Sequence, residues 1–245
     1  MAVDILDLAS FYASPLGRAV QANLAARIVK LWPRAPGPDE LLLGYGYIST
    51  LADDLWPQAD WRFLMPQHQG VMAADDETPT AILTEETRWP VRSDSFNRLV
   101  VAHGLETANQ LEAVLDEAWR VLQPNGRALF IVPNRRGLWA RGDKTPFGVG
   151  RPFSGGQLRA SLQRTGFVPG AMQSALFLPP FVPLGMRSSL RFIETLGPWV
   201  APHLGGVWLV EAVKQVPAPL AVERARKARA RRRMGVPRPA LSPKY

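Results

Sequence analysis

The chain has 245 residues, 47% apolar and 20% charged, which fits a folded globular protein and argues against wholesale disorder, while zero cysteines exclude disulfides and thiolate chemistry and three histidines argue against a histidine-rich metal site. The net charge of +8 sits in the last 25 residues, which hold 9 of the 29 basic and 1 of the 21 acidic side chains, so residues 1–220 balance at 20 against 20. No apolar run approaches the roughly 18 residues that span a bilayer, and Asp4 and Asp7 stand where a secretory leader carries positive charge, so the expectation is a cytoplasmic protein with no membrane partner.

Ser14 before Pro15 reads as an N-cap with proline in the first turn, and Val20, Leu24, Ile28 and Leu31 recur at helical spacing until Pro33. Pro33, Pro36 and Pro38 separate this amphipathic helix from an apolar run at 41–43, which enters Gly44-Tyr45-Gly46-Tyr47 and a short helix through Leu55. Short apolar stretches at 61–65, 81–83, 99–102 and 128–132, bounded by turn residues, read as buried strands. Between the last two, Leu111, Val114, Leu115, Ala118, Trp119 and Leu122 form one helical stripe, with Thr107 and Gln110 at capping-box spacing and Pro124-Asn125-Gly126 as the turn that follows. Residues 133–152 are too long for an ordinary crossover and read as a lid or binding loop. Ser154 and Gln157 predict a capped helix ending at Gly166, and strands at 175–178 and 207–213 flank a helix at 188–196.

Strands alternating with helices predict an α/β fold with a mainly parallel sheet covered on both faces, because parallel neighbours need crossover connections. In such sheets ligands bind beyond the carboxyl ends of the strands, which directs attention to residues 44–47, 85–86, 103–106 and 133–136. The expected organisation is a helical extension over 1–39, one sheet domain over 40–215, and a basic tail over 216–245. Seven basic side chains between Arg224 and Arg233 give that tail the character of a solvated segment able to meet an acidic protein or nucleic acid phosphates.

From Glu85 to Phe167 an ordered series of motifs is present: Trp89-Pro90, Ser95-Phe96-Asn97, His103-Gly104-Leu105-Glu106, Glu117 to Leu122, Pro124-Asn125-Gly126 and Val132-Pro133-Asn134. This series resembles the type 11 methyltransferase domain, a branch of the class I S-adenosylmethionine-dependent enzymes, and Asn134 to Arg141 with Arg151 to Ser154 is similar to a bacterial subgroup of that family. The resemblance implies a Rossmann-like seven-stranded sheet of order 3-2-1-4-5-7-6 with its last strand antiparallel, and S-adenosylmethionine as cofactor.

On that resemblance, Gly44, Tyr45 and Gly46 match the glycine loop that approaches the methionine part of the cofactor, with Ile48 at the third glycine position and Leu42 in place of the usual acid. Gln67 stands where a ribose-binding carboxylate is customary, and Glu85 and Glu86 align with the adenine contacts. His103, closing a strand at the same edge, is the candidate proton acceptor, the bland alternative being a histidine bonded to nearby backbone. Arg135, Arg136, Trp139, Arg141 and Arg151 are the candidate acceptor-binding residues, suited to an acidic or aromatic small molecule. The expected activity is methyl transfer to an oxygen, nitrogen or carbon nucleophile, and the rival is a noncatalytic scaffold on the same fold, favoured by Leu42, Ile48 and the missing ribose carboxylate. The two diverge on one physical requirement, that Tyr45, Tyr47 and Ile48 leave the glycine rim open.

Overall fold

The computed structural model describes residues 4–70, 81–142, 144–187 and 189–216. Seven strands form one sheet: β1 (Leu41–Gly46), β2 (Asp60–Pro66), β3 (Ala81–Thr84), β4 (Phe96–Ala102), β5 (Leu122–Pro133), β6 (Phe167–Ala175) and β7 (Val207–Lys214). Their order is β3-β2-β1-β4-β5-β7-β6. The first five strands run parallel, and β7 lies antiparallel between β5 and β6. The architecture expected from the family resemblance is therefore the one observed.

Among the described residues, seven α-helices accompany the sheet: α1 (Ile5–Ala13), α2 (Pro15–Leu31), α3 (Ser49–Leu55), α4 (Leu111–Val121), α5 (Gly155–Arg164), α6 (Leu184–Arg187) and α7 (Arg191–Val200). Burial divides into two apolar layers, as a sheet covered on both faces requires. One gathers α1, α2 and α3 against Leu42, Phe63, Val100, Leu129 and Leu209. The other gathers α4 and α5 against Leu43, Leu64, Leu99, Phe130 and Val210. Adjacent strand residues thus face opposite layers, in keeping with the period of two along a strand.

The local signals decide most boundaries. Ser14 caps α2 by accepting from Gly17 N, with Pro15 at the first position, and Ser154 and Gln157 form the full capping box of α5. Two readings need correction. The start of α4 carries no capping box, because Gln110 makes no side-chain cap bond. Instead, the Glu86 carboxylate accepts from the backbone N–H of Asn109 and Gln110, and the Thr107 hydroxyl accepts from Gln69. The strand expected at 175–178 lies earlier in the chain, at Phe167–Ala175, and Leu176 leaves it with a positive φ of 61°. Residues 217–245, with the basic cluster, lie outside the described residues.

Candidate functional site

The carboxyl ends of β1 and β4 meet closely. Gly46 has φ +80° and packs so tightly on β4 that an added Cβ would run into the Ala102 carbonyl oxygen. Only glycine meets both demands without strain. Across the turn, an added Cβ on Gly104 would lie 2.7 Å from the Tyr45 ring, which itself stacks on Trp89 with centroids 4.5 Å apart. Tyr45 therefore points into the α4 layer and away from the rim.

His103 follows β4 with φ 56°, a conformation uncommon for a residue bearing a side chain. Its Nδ1 lies 3.1 Å from Glu106 Oε1 and its Nε2 lies 2.7 Å from the Tyr12 hydroxyl, with all three groups buried. A carboxylate only accepts hydrogen bonds, so Glu106 as a carboxylate fixes the imidazole proton on Nδ1 and leaves Nε2 to accept from Tyr12. Gln69 donates to the His103 carbonyl oxygen and, at 2.9 Å, to Thr107 Oγ1. Glu106 Oε2 and Gln69 Oε1 are buried without a hydrogen-bond partner among the described residues. Burial raises the Tyr12 phenol well above its ordinary range, with the Glu106 charge acting in the same direction, so Tyr12 stays a neutral donor.

Tyr12 belongs to α1, a helix the sequence reading did not assign. Asp4 caps it by accepting from Leu6 N, and Ile5, Leu8 and Tyr12 make its buried stripe. Ser14 closes α1 and opens α2, while Gly17 lets the two helices cross, since a Cβ there would lie 2.6 Å from Tyr12 Cα. The helix crosses the strand ends: Ile5 comes within 3.5 Å of the Cβ position at Gly70, and Phe11 meets Phe147 edge-on. Tyr12 stacks on Tyr47 with centroids 5.4 Å apart.

The glycine turn was expected to leave room for a nucleoside. In this structure side chains occupy part of that space. Ile48 is fully buried, and its Cγ2 lies where a Cβ on Gly44 would sit, with the Phe63 ring 2.8 Å away. Beside the turn, Tyr47 stacks on Tyr12 of α1.

The remaining candidates separate. Gln67 and Glu85 are exposed, with Glu85 in a short bridge to Arg88. Glu86 directs its carboxylate into the start of α4 and lies 3.5 Å from His68 Nδ1. Trp139 is buried, donates from its indole to the Leu178 carbonyl and meets Phe147 edge-on, which pins the 133–152 segment to the sheet layer. Arg135 donates to the Pro152 carbonyl and lines a cleft of about 350 Å³ with Arg151 and Arg164. Arg136 and Arg141 instead line a different cleft of about 580 Å³ beside α7. The arginines do not form one acceptor pocket. The groups that do converge on His103 are Tyr12, Glu106, Gln69 and Phe147; Glu106 was visible at three residues from His103, but nothing local connects Tyr12 or Gln69 to it.

Residues 67–130 match the family model of the methyltransferase domain. Among solved structures, an S-adenosylmethionine-dependent methyltransferase from Archaeoglobus fulgidus aligns with 84% of this chain and 96% of its own at TM-score 0.56 and 13% identity. The fold is that of the class I methyltransferases. The same methyltransferase fold aligns, at TM-score 0.55 and 14% identity over 85% of this chain and 97% of that one, with a complex between the Haloferax volcanii Trm112 methyltransferase activator and a protein described as a methyltransferase. It also aligns with the [4+2]-cyclase SpnF at TM-score 0.57 and 17% identity, over 84% of both chains. A class I methyltransferase fold thus hosts more than one reaction, and only the site discriminates among them. No curated protein matches the sequence.

Proposed function

We propose that the chain is an S-adenosylmethionine-dependent methyltransferase acting on a small acceptor at the junction of β1 and β4, and that α1 is the cover displaced when cofactor binds. The observation that carries this reading is the arrangement at His103: an imidazole at the strand end, oriented by Glu106, whose Nε2 already faces a hydroxyl at 2.7 Å. The phenol of Tyr12 stands where an acceptor O–H would stand, and His103 Nε2 is the atom that would take its proton. Gly44, Gly46, Gln67 and Glu85 are the proposed cofactor contacts, with the backbone of Tyr45 and Glu86 completing the loop. The unpartnered oxygens of Glu106 and Gln69 favour a ligand bearing N–H or O–H donors.

A second reading, a noncatalytic protein on the same scaffold, is favoured by Ile48 packed onto Gly44. Titration calorimetry with S-adenosylmethionine and S-adenosylhomocysteine on wild type, Tyr12→Ala and Ile48→Gly separates the two. The methyltransferase reading expects binding in wild type that strengthens in both variants, as each removes a group filling the rim. Folded proteins that bind neither compound in any of the three forms would reject it and select the scaffold.

A further inference from the structure

The second half of the chain exposes an apolar surface that the methyl-transfer reading does not use. On α7, Phe192, Leu196, Trp199 and Val200 recur at helical spacing, yet they are 56%, 52%, 86% and 80% exposed. Leu204, 57% exposed, lines the cleft beside them. Monomeric soluble proteins rarely leave so many large side chains contiguous and unpartnered, so such a face marks a docking surface. An apolar cleft of about 580 Å³ opens on it, floored by Phe177 and Ile193 and walled by Arg136 and Arg141.

The charge around this face identifies the partner. Glu194 of α7 is turned inward, accepting from Leu178 N and pairing with Arg27 at 3.5 Å. Arg136 and Arg141 line the cleft beside this face, whereas Arg135 lines another and Arg187 donates to the Val182 and Pro179 carbonyls. Arg136 and Arg141 are exposed and make no ion pair among the described residues. Exposed tryptophan, phenylalanine and aliphatic groups flanked by the unpaired Arg136 and Arg141 complement the headgroup boundary of an anionic bilayer, where apolar side chains enter the acyl region and cations stay with the phosphates. The sequence holds a second signal of the same sign, the seven basic residues between Arg224 and Arg233. Binding at a bilayer surface strengthens with buried apolar area and with electrostatic attraction to anionic lipid, and the sequence offers both contributions.

We propose that the α7 face, from Phe192 to Leu204 with Arg136 and Arg141 at its edge, is a peripheral docking surface for anionic lipid bilayers. The described residues contain no helix long and apolar enough to cross a membrane, so attachment is to the surface. The sequence reading expected no membrane partner because hydropathy windows detect spans; a face whose polar side is folded inward escapes them. The inference stands independently of methyl transfer.

The test is cosedimentation of the full chain with vesicles of phosphatidylcholine alone and with about one-third phosphatidylglycerol, at low and high salt. Trp199→Ser/Leu196→Gln and Arg136→Glu/Arg141→Glu are compared with wild type, with circular dichroism confirming that each is folded. The expected result is binding to anionic vesicles only, weakened by salt and reduced at least about tenfold in both double variants. Three outcomes overturn the proposal. One is no binding to anionic vesicles. Another is binding that survives both double variants, which assigns attachment to the basic tail alone. The last is a concentration-dependent dimer abolished by Trp199→Ser/Leu196→Gln without vesicle binding, which assigns the face to a second copy of the chain.

Discussion

The Tyr12 hydroxyl lies 2.7 Å from His103 Nε2 across 91 residues of sequence, and the ring carrying it stacks on Tyr47. One side chain therefore holds α1 over the rim by two means, a buried hydrogen bond and aromatic packing. Both must be given up for a ligand to reach His103.

Tyr12→Phe keeps the ring and removes the hydroxyl, leaving Nε2 buried with an unfilled acceptor. The expected cost is about 1–3 kcal/mol in urea unfolding, the desolvation penalty of a buried polar atom without a partner. Adding His103→Phe removes that orphan, so the double variant should lose less than the sum of the two single losses. A strictly additive pair would show that the bond contributes nothing to holding α1 in place.

Most strands and helices were legible because they rest on local signals, apolar runs of strand length, Ser14-Pro15, and the Ser154 and Gln157 box, whereas the strand order came from the family resemblance alone. The capping of α4 was not, since Glu86 reaches it from 24 residues away and displaces the local candidate Thr107. Helix α1 carried its own signature in Asp4, Ile5, Leu8 and Tyr12, but within the helical extension expected over 1–39 only the stripe from Val20 to Leu31 was resolved into a helix. His103 was picked from its place after β4. That it sits beneath a helix, with Ile48 folded onto Gly44, follows from packing between remote segments, which periodicity does not report.

Glycines at the rim and elsewhere should answer alanine oppositely. Gly46→Ala combines a positive φ with a collision against the Ala102 carbonyl oxygen, so β1 and β4 must separate, and the expected loss is about 2 kcal/mol or more. Gly156→Ala, inside α5 with nothing within 4 Å of the added methyl, should instead gain about 0.5–1 kcal/mol. Thermal melts of the two single variants check both signs. Equal behaviour would mean that the β1–β4 contact at Gly46 is looser than described.

Glu85 and Glu86 are neighbours with separable roles. Glu86→Ala strips the acceptor from two N–H groups at the start of α4 and should cost about 1–2 kcal/mol, as loss of a helix cap does. Glu85 is exposed and makes no such contact, so Glu85→Ala should melt with wild type while weakening S-adenosylmethionine binding in calorimetry. If Glu85→Ala left affinity untouched and Glu86→Ala left stability untouched, both assignments would be wrong.

The acid limb of stability should depend on Glu117. Desolvation by burial tends to raise its pKa, but the hydrogen bonds from the Arg120 guanidinium and Trp89 N–H, with the Arg120 charge, together outweigh that and leave it below the ordinary carboxylate range. A carboxyl whose folded pKa is depressed binds its proton more readily when unfolded. Its contribution is therefore fully present above the unfolded value of about 4.3 and is lost as pH falls through the folded value. Trp89 stacks on Tyr45, so loosening this contact on acidification also loosens the underside of the glycine turn. Glu117→Gln cannot ionise and should unfold with a shallower dependence on pH below about 4.3 than wild type, while being less stable at neutral pH. Urea midpoints measured across the acid range decide this: parallel curves for the two proteins would remove Glu117 from the acid transition.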